Sequence, residues 1–433
     1  MSGTYMHPTG GYIMNFGASA DAEPITAQDR MYLRGLAQRV KEISQKPRQG
    51  VNRDLWIRHN KLEHVRPMYV IYPEDGWIDL LGPEQLQLQA PFWRNYEWYL
   101  KHLIYRDQEI DDDFVIEPEI YVTADHTIID GNYGLEVQYQ LVQDTGAYKW
   151  DPPLKEYSDV KKLRKPRLEI DEKHEKKTRQ RVDGVTDVFG DIFEVKTILT
   201  TSMQVNHPGI LAAMRGIQQM MLDMYDAPKF LHEILEIITE GYLGLFKQIE
   251  DNGYLRPNTW GHYVDSGGNS YTDELPLNKD GKDIRLSDLW GFGVAQEYSE
   301  VSPQMHYEFG IQYQNRVLEL FGINSYGCCE PYTHKIDVVK KVPRLRRVSV
   351  SPWCDTRVAA EKLGRKYIFS WKPNPSVILY EEDFGRIREY VRTNMSIARD
   401  CILEIFFKDP VHLKGKEHRI KELTSMLRME VER

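Results

Sequence analysis

From about residue 195 onward, short β-rich runs alternate with amphipathic helices, and this rhythm constrains the fold more than any other feature of the chain. The run "PKFLHEILEIITEGYLGLFKQIEDNG" places apolar residues at 231, 234, 235, 238, 242, 245, 246 and 249, the spacing of one buried helix face, and Gly253 ends it. "VSPQMHYEFGIQYQNRVLELFG" opens with Ser302 as cap and Pro303 at the first helical position, and closes at Gly322. "DFGRIREYVRTNMSIARD" is a further helix. Between them lie the strand candidates "TWGHYV", "LWGFGVAQ", "INSYGCC", "RRVSVSPW", "KYIFSWKP" and "CILEIFF". Alternation at this spacing implies parallel β/α units, in an open doubly wound sheet or a closed barrel. No glycine-rich phosphate loop follows any strand, and polar residues recur at strand C-terminal ends; both favour a (β/α)8 TIM barrel of the α/β class.

The first half is read as an N-terminal extension with a surface helix (1–50) leading into the barrel domain (51–433). In "TAQDRMYLRGLAQRVKEIS", Thr26 is the cap, and Met31, Leu33, Leu36, Val40 and Ile43 recur at helical spacing. "RPMYVIYPED" reads as a strand. "PFWRNYEWYLKHLIYRDQEIDDDFVIEPEIYV" reads as a helix, an acidic turn and a strand. Residues from about 150 to 190 are strongly charged and are expected to form a solvated insertion.

Hydrophobic residues at 41% and charged residues at 28% of 433 describe a globular chain with material for a large core. A net charge of -9 argues against a general electrostatic grip on nucleic acid or an anionic membrane. No stretch is long and apolar enough to span a bilayer, and the first residues lack a signal-peptide pattern, so a cytoplasmic location is expected. Four cysteines are too few to staple such a chain, so free thiols or metal ligands are expected instead. The sequence leaves open whether the chain pairs as a homodimer.

Chemistry-bearing residues gather at the ends of the expected strands. In "SYGCCEPYTH", Cys328 and Cys329 can share a face only if the chain bends, which Glu330 and Pro331 favour. They are read either as a packed pair or as the edge of a metal site. Lys372 in "SWKPNP" can bind an anionic group or steady a phenolate, or be an ordinary solvated cation. Glu404, among apolar neighbours in "CILEIFFKDP", either faces a polar cavity or is buried with a partner. His262, Gln296, Trp353 and Asn60 complete the candidates as possible acid–base, polar and aromatic contacts.

The succession "YGCCEPYTHKIDVVKKVPRLRRVSVSPWCDTRVAAEKLGRKYIFSWKPNPS" followed by "CILEIFFKDP" resembles the uroporphyrinogen decarboxylase-like superfamily in its corrinoid-dependent methyltransferase branch. It is most similar to O-demethylating methyltransferases for methoxylated aromatic compounds, over about residues 255–410. The resemblance implies a (β/α)8 barrel that passes a substrate methyl group to the cob(I)alamin of a separate corrinoid protein, possible alternatives being another methyl donor (a methylamine or methylated thiol), a thiol coenzyme as acceptor, or a non-catalytic corrinoid- or tetrapyrrole-binding barrel. Related thiol and methylamine enzymes bind zinc through a His-x-Cys motif and a last-strand cysteine. The motif's cysteine falls on Cys329, but its histidine position holds Gly327, and the last-strand position, near 407–409, holds no cysteine. Zinc would then need Cys328, Glu330 or Glu404 as substitutes. The resemblance places Cys329, Glu330 and Glu404 near the ether oxygen as ligands or acid, and His262 and Lys372 on the ring substituents. The arginine-rich N-terminal substrate segment of true decarboxylases is missing, which argues against that activity.

Overall fold

The computed structural model describes residues 21–141, 148–200, 203–259, 266–277, 283–408, 410, 412–413 and 415–433. Its strands are β1 (Met68–Ile71), β2 (Glu119–Thr123), β3 (Thr127–Ile129), β4 (Gln138–Leu141), β5 (Tyr148–Asp151), β6 (Arg167–Glu169), β7 (Glu194–Ile198), β8 (Gln204–Val205), β9 (Trp290–Gly293), β10 (Ile323–Tyr326), β11 (Leu345–Val350), β12 (Ile368–Trp371) and β13 (Ile402–Phe407). Seven of them form one sheet in the order β1-β13-β12-β11-β10-β9-β8, parallel at every pairing. β2 and β7 pair in parallel as a separate two-stranded sheet, and β3–β6 and β4–β5 are antiparallel pairs. The α/β class is thus observed, whereas the expected closed ring is not: strand pairing among the described residues yields an open run of seven plus a pair. The expected strand "TWGHYV" lies almost entirely outside the described residues.

Helix ends follow the capping chemistry read from the sequence. Thr26 accepts the Asp29 N–H at the head of Ala27–Ser44, Ser302 accepts from Met305, and Asp383 accepts from Gly385 at the head of Phe384–Ile397. The helix Pro228–Asp251 buries Leu231, Ile234, Leu235 and Ile238, and Gly253 beyond its end has a φ of 72°. The N-terminal helix is less superficial than expected. It buries Leu33, Leu36, Ala37, Val40 and Ile43, while Met31, assigned to the same face, is exposed. The charged run from 150 to 190 also differs from a wholly solvated insertion. Its helix Glu172–Phe189, opened by a reciprocal Asp171–His174 cap, buries Val185, Val188 and Phe189 in the same core as β2 and β7.

Alternation along the strands divides the sheet into two unlike faces. One face is apolar. It presents Val348 and Val350 of β11, Phe369 and Trp371 of β12, and Leu403, Ile405 and Phe407 of β13 to the large core shared with the helices. The other face carries Arg347 and Ser349, Ser370, and Glu404 and Phe406, continued past the strand ends by Ser351, Lys372 and Lys408, and all of these are buried. Parallel strands buried on both faces are normally apolar throughout, so this polar face is where the molecule departs from what stability alone requires.

Candidate functional site at the strand C-terminal ends

Register arranges the polar face in two tiers. Glu404 lies level with Met68 of β1 and Ser370 of β12, and Lys408 follows about 13 Å further along the chain at ordinary strand rise.

The lower tier is a buried ion-pair network in which Glu404 Oε2, His59 Nε2 and Arg347 Nε are close to one another without a hydrogen bond of good geometry. Glu404 Oε1 accepts the Gly268 N–H at 2.8 Å and lies 3.0 Å from Arg347 Nε, while His59 Nε2 faces Oε2 at 3.4 Å. Arg347 also donates to Asn60 Oδ1 (3.1 Å) and Asn269 O (3.2 Å), and stacks over the Trp290 ring. Asn60 donates its amide to Asn269 O and Tyr271 O, both at 2.8 Å. Glycine is required where the loop presses in, since a Cβ on Gly268 would lie 2.5 Å from Trp56 and 2.7 Å from Glu404 Oε2. Burial alone would raise the Glu404 pKa, but Arg347, His59 and Ser370 override it and hold the carboxyl at about 2. Burial lowers His59, which keeps the ring neutral. Glu404 is thus held in its ionised form by these neighbours, and the Asn60 amide is engaged at both ends.

The upper tier surrounds a thiol. β10 ends at Tyr326, and Gly327, with a φ of 97°, turns the chain so that the Cys328 and Cys329 sulfurs lie 3.4 Å apart, neither of them in a disulfide. This is the bend expected from Glu330 and Pro331. Cys328 Sγ accepts from Ser266 Oγ at 3.2 Å and from Lys408 Nζ at 3.3 Å. Lys372 Nζ donates to Ser349 Oγ at 2.5 Å, and Ser349 Oγ donates to the Cys328 carbonyl at 2.6 Å. Lys408 also lies 3.8 Å from Glu74 Oε1. The hydrogen bond from Cys329 and the charges of Lys408 and Lys372 bring the Cys328 thiol down to about 6, against burial and Glu330, which act the other way. Burial, with Lys408 nearby, pulls the Lys372 pKa below that of an ordinary lysine, opposed by Cys328, Cys329 and Glu404. Phe292 and Val294 pack with Cys328 and Cys329 as an apolar wall beside these cations.

Glu330 is buried and braced. Its carboxylate accepts the Ala295 N–H (3.0 Å), the Cys328 N–H (2.9 Å) and the Tyr332 hydroxyl. Its oxygens thereby orient the loop bearing Cys328. Gln296 stands half-buried after β9. Trp353 does not form a wall: it is 68% exposed, because the chain turns away after Val350, where Cys354 N–H donates to Ser351 O. His262 lies outside the described residues. A surface groove of about 770 Å³, lined by Arg357, Arg392, Asp400 and Cys401, opens near the N-terminal end of β13, away from these residues.

Sequence reasoning missed Ser349, Lys408, Arg347 and Glu297. The first three were accessible through the period-two recurrence of polar residues in "RRVSVS" and "LEIFFK". Zinc does not fit the described residues. Cys328 and Cys329 are two adjacent soft donors, but Glu330 is taken, and no group of three His, Cys, Asp or Glu side chains suited to a metal occurs among the described residues. No helix among the described residues is long and apolar enough to cross a membrane. No protein-family model matches the chain, and no curated protein matches it in sequence.

Proposed function

We propose that the chain is a methyltransferase that removes the methyl group of a methoxylated aromatic compound and passes it to the cob(I)alamin of a separate corrinoid protein in the cytoplasm. The fold that goes with this reading is a (β/α)8 barrel. An open doubly wound sheet usually keeps its first strand near the centre, whereas here β1 pairs with the last strand, β13, and the order then descends without a break to β8. A ring with a missing arc would have that order, and the β2–β7 pair falls in the stretch of chain between β1 and β8 where the missing arc belongs. The β1 edge away from β13 is already engaged by the segment leading into β2: Asp113 N–H donates to Tyr69 O, and Asp112 and Asp113 accept the Ile71 and Tyr69 N–H groups.

The observation that carries the activity is the convergence of Lys372, Ser349, Cys328 and Lys408 at the C-terminal ends of adjacent strands, beside the Phe292 and Val294 wall. Breaking an aryl methyl ether leaves both bonding electrons on oxygen, and a buried site with two ammonium groups and a hydroxyl is built to receive that charge. The acceptor's cobalt supplies the electron pair that forms the new bond to carbon. The apolar wall holds the ring, Lys372 meets the departing oxygen, and the buried surroundings strengthen each of these contacts. No step is routed through zinc.

Mixing the purified protein with a methoxybenzoate and a reduced corrinoid protein should convert the reduced-corrinoid spectrum to the methylated one and release one phenol per methyl transferred. An unchanged spectrum across a panel of methoxybenzoates, with a methylamine or methylated thiol active instead, would replace the aromatic substrate class.

A further inference from the structure

Glu297 follows β9 on the rim, and its sequence context carries no signal of function. Its carboxyl group lies near the Asn206 side chain, and Oε2 is buried with no hydrogen-bond partner among the described residues. Gln204, in the adjacent strand β8 and level with Phe292, likewise holds its Nε2 buried without a partner among the described residues. Buried polar atoms without partners are uncommon in native structures, and each calls for an explanation such as a bound water, an ion or a catalytic role. Gln204 is level with Phe292 of the apolar wall, and Glu297 follows four residues after the end of β9.

We propose that Glu297 is the acid that protonates the departing phenol oxygen, with Gln204 donating a second hydrogen bond to the bound ring's substituent. This rests on the demethylase reading. As the methyl carbon passes to cobalt, the ether's C–O bond breaks, its electron pair stays on oxygen, and the Oε2 proton moves to that oxygen. Glu297 is left as a carboxylate that regains its proton from water. Lys372 holds the charge while it develops, and Glu297 removes it by neutralisation.

The surroundings suit a carboxylic acid. Burial pushes Glu297 up to about 7, reinforced by the charges of Glu330 and Cys328 and opposed by its own backbone N–H and by Asn206. The other titratable groups in its field are Tyr242, Tyr298 and Tyr326. Lys335 donates to the Tyr298 and Ser299 carbonyls, one and two residues further along the chain.

The test compares wild type with Glu297→Gln and Glu297→Asp on methoxyarenes whose phenols span a range of acidity. Glu297→Gln keeps the shape and removes the proton. It should slow transfer from weakly acidic phenols by about 10²–10⁴-fold and leave nitro-activated ethers near the wild-type rate, while Glu297→Asp restores part of the loss. The wild-type kcat should fall as pH rises through about 7, and that limb should vanish in Glu297→Gln. A Glu297→Gln protein that matches wild type on every ether and keeps the same pH profile overturns this inference while leaving the demethylase reading intact. Absence of methyl transfer by wild type from any ether overturns both.

Discussion

Glu404→Ala is expected to lower the stability of the protein by about 3–5 kcal/mol, the largest effect of any single change at the polar face. The substitution leaves Arg347 buried without its anion and removes the acceptor of the Gly268 N–H. Denaturant unfolding measures the loss. A double change to apolar residues of similar volume, Glu404→Leu with Arg347→Met, should recover much of it, because it removes both charges rather than orphaning one. The pH dependence has a definite sign. Glu404 is held well below its ordinary value near 4.5, so its stabilising effect is fully present above that value and is lost as pH falls through about 2. The stability gap between wild type and Glu404→Gln should therefore narrow over that acid range and stay constant above it. A variant as stable as wild type at neutral pH would show that this network is not a brace.

Lys372→Ala carries the largest expected effect on turnover. If Lys372 meets the departing oxygen, its removal should cost about 10²–10³-fold in kcat, as does the loss of one preorganised donor to a developing oxyanion, with little change in KM. A small alkylamine added to Lys372→Ala should restore part of the rate, because the vacated space accepts an ammonium in the same place. Stability should change far less than in Glu404→Ala, since Lys372 has Ser349 as its hydrogen-bond partner rather than a carboxylate. The wild-type rate should decline on the alkaline side at lower pH than an ordinary lysine would give, because burial lowers the Lys372 pKa and its loss of a proton removes the charge. Equal loss in kcat and stability, with no rescue by amine, would assign Lys372 a packing role instead.

How much of this was legible beforehand depended on distance along the chain. Helix caps and strands in the second half are local, and the residues that write them sit within a few positions of one another, as at Ser302 and Met305. The emphasis on Lys372 and on the cysteine pair was also readable, because strand ends in parallel β/α units point to one side. Glu404 stood out as a carboxylate in an apolar run, but its role did not, since that depends on Gly268, 136 residues away, and on Arg347 of a different strand. Glu330 shows the same limit: a candidate ligand or acid from its place behind the cysteine pair, it accepts from Ala295, far from it in the chain, and from Tyr332. Trp353 stands apart from the buried face for a local reason, as β11 stops at Val350 and the ring beyond it is exposed. Glu297 had no periodic signal at all, because an unpartnered oxygen is a property of packing.

The most direct measurement is a crystal structure of the protein with the phenol product of a methoxybenzoate bound. The account predicts the ring against Phe292 and Val294, with its phenolic oxygen within hydrogen-bond reach of Lys372 Nζ and on the same side as Glu297. A ring seated elsewhere, such as the groove lined by Arg357 and Arg392, with Lys372 and Lys408 undisturbed, would contradict it.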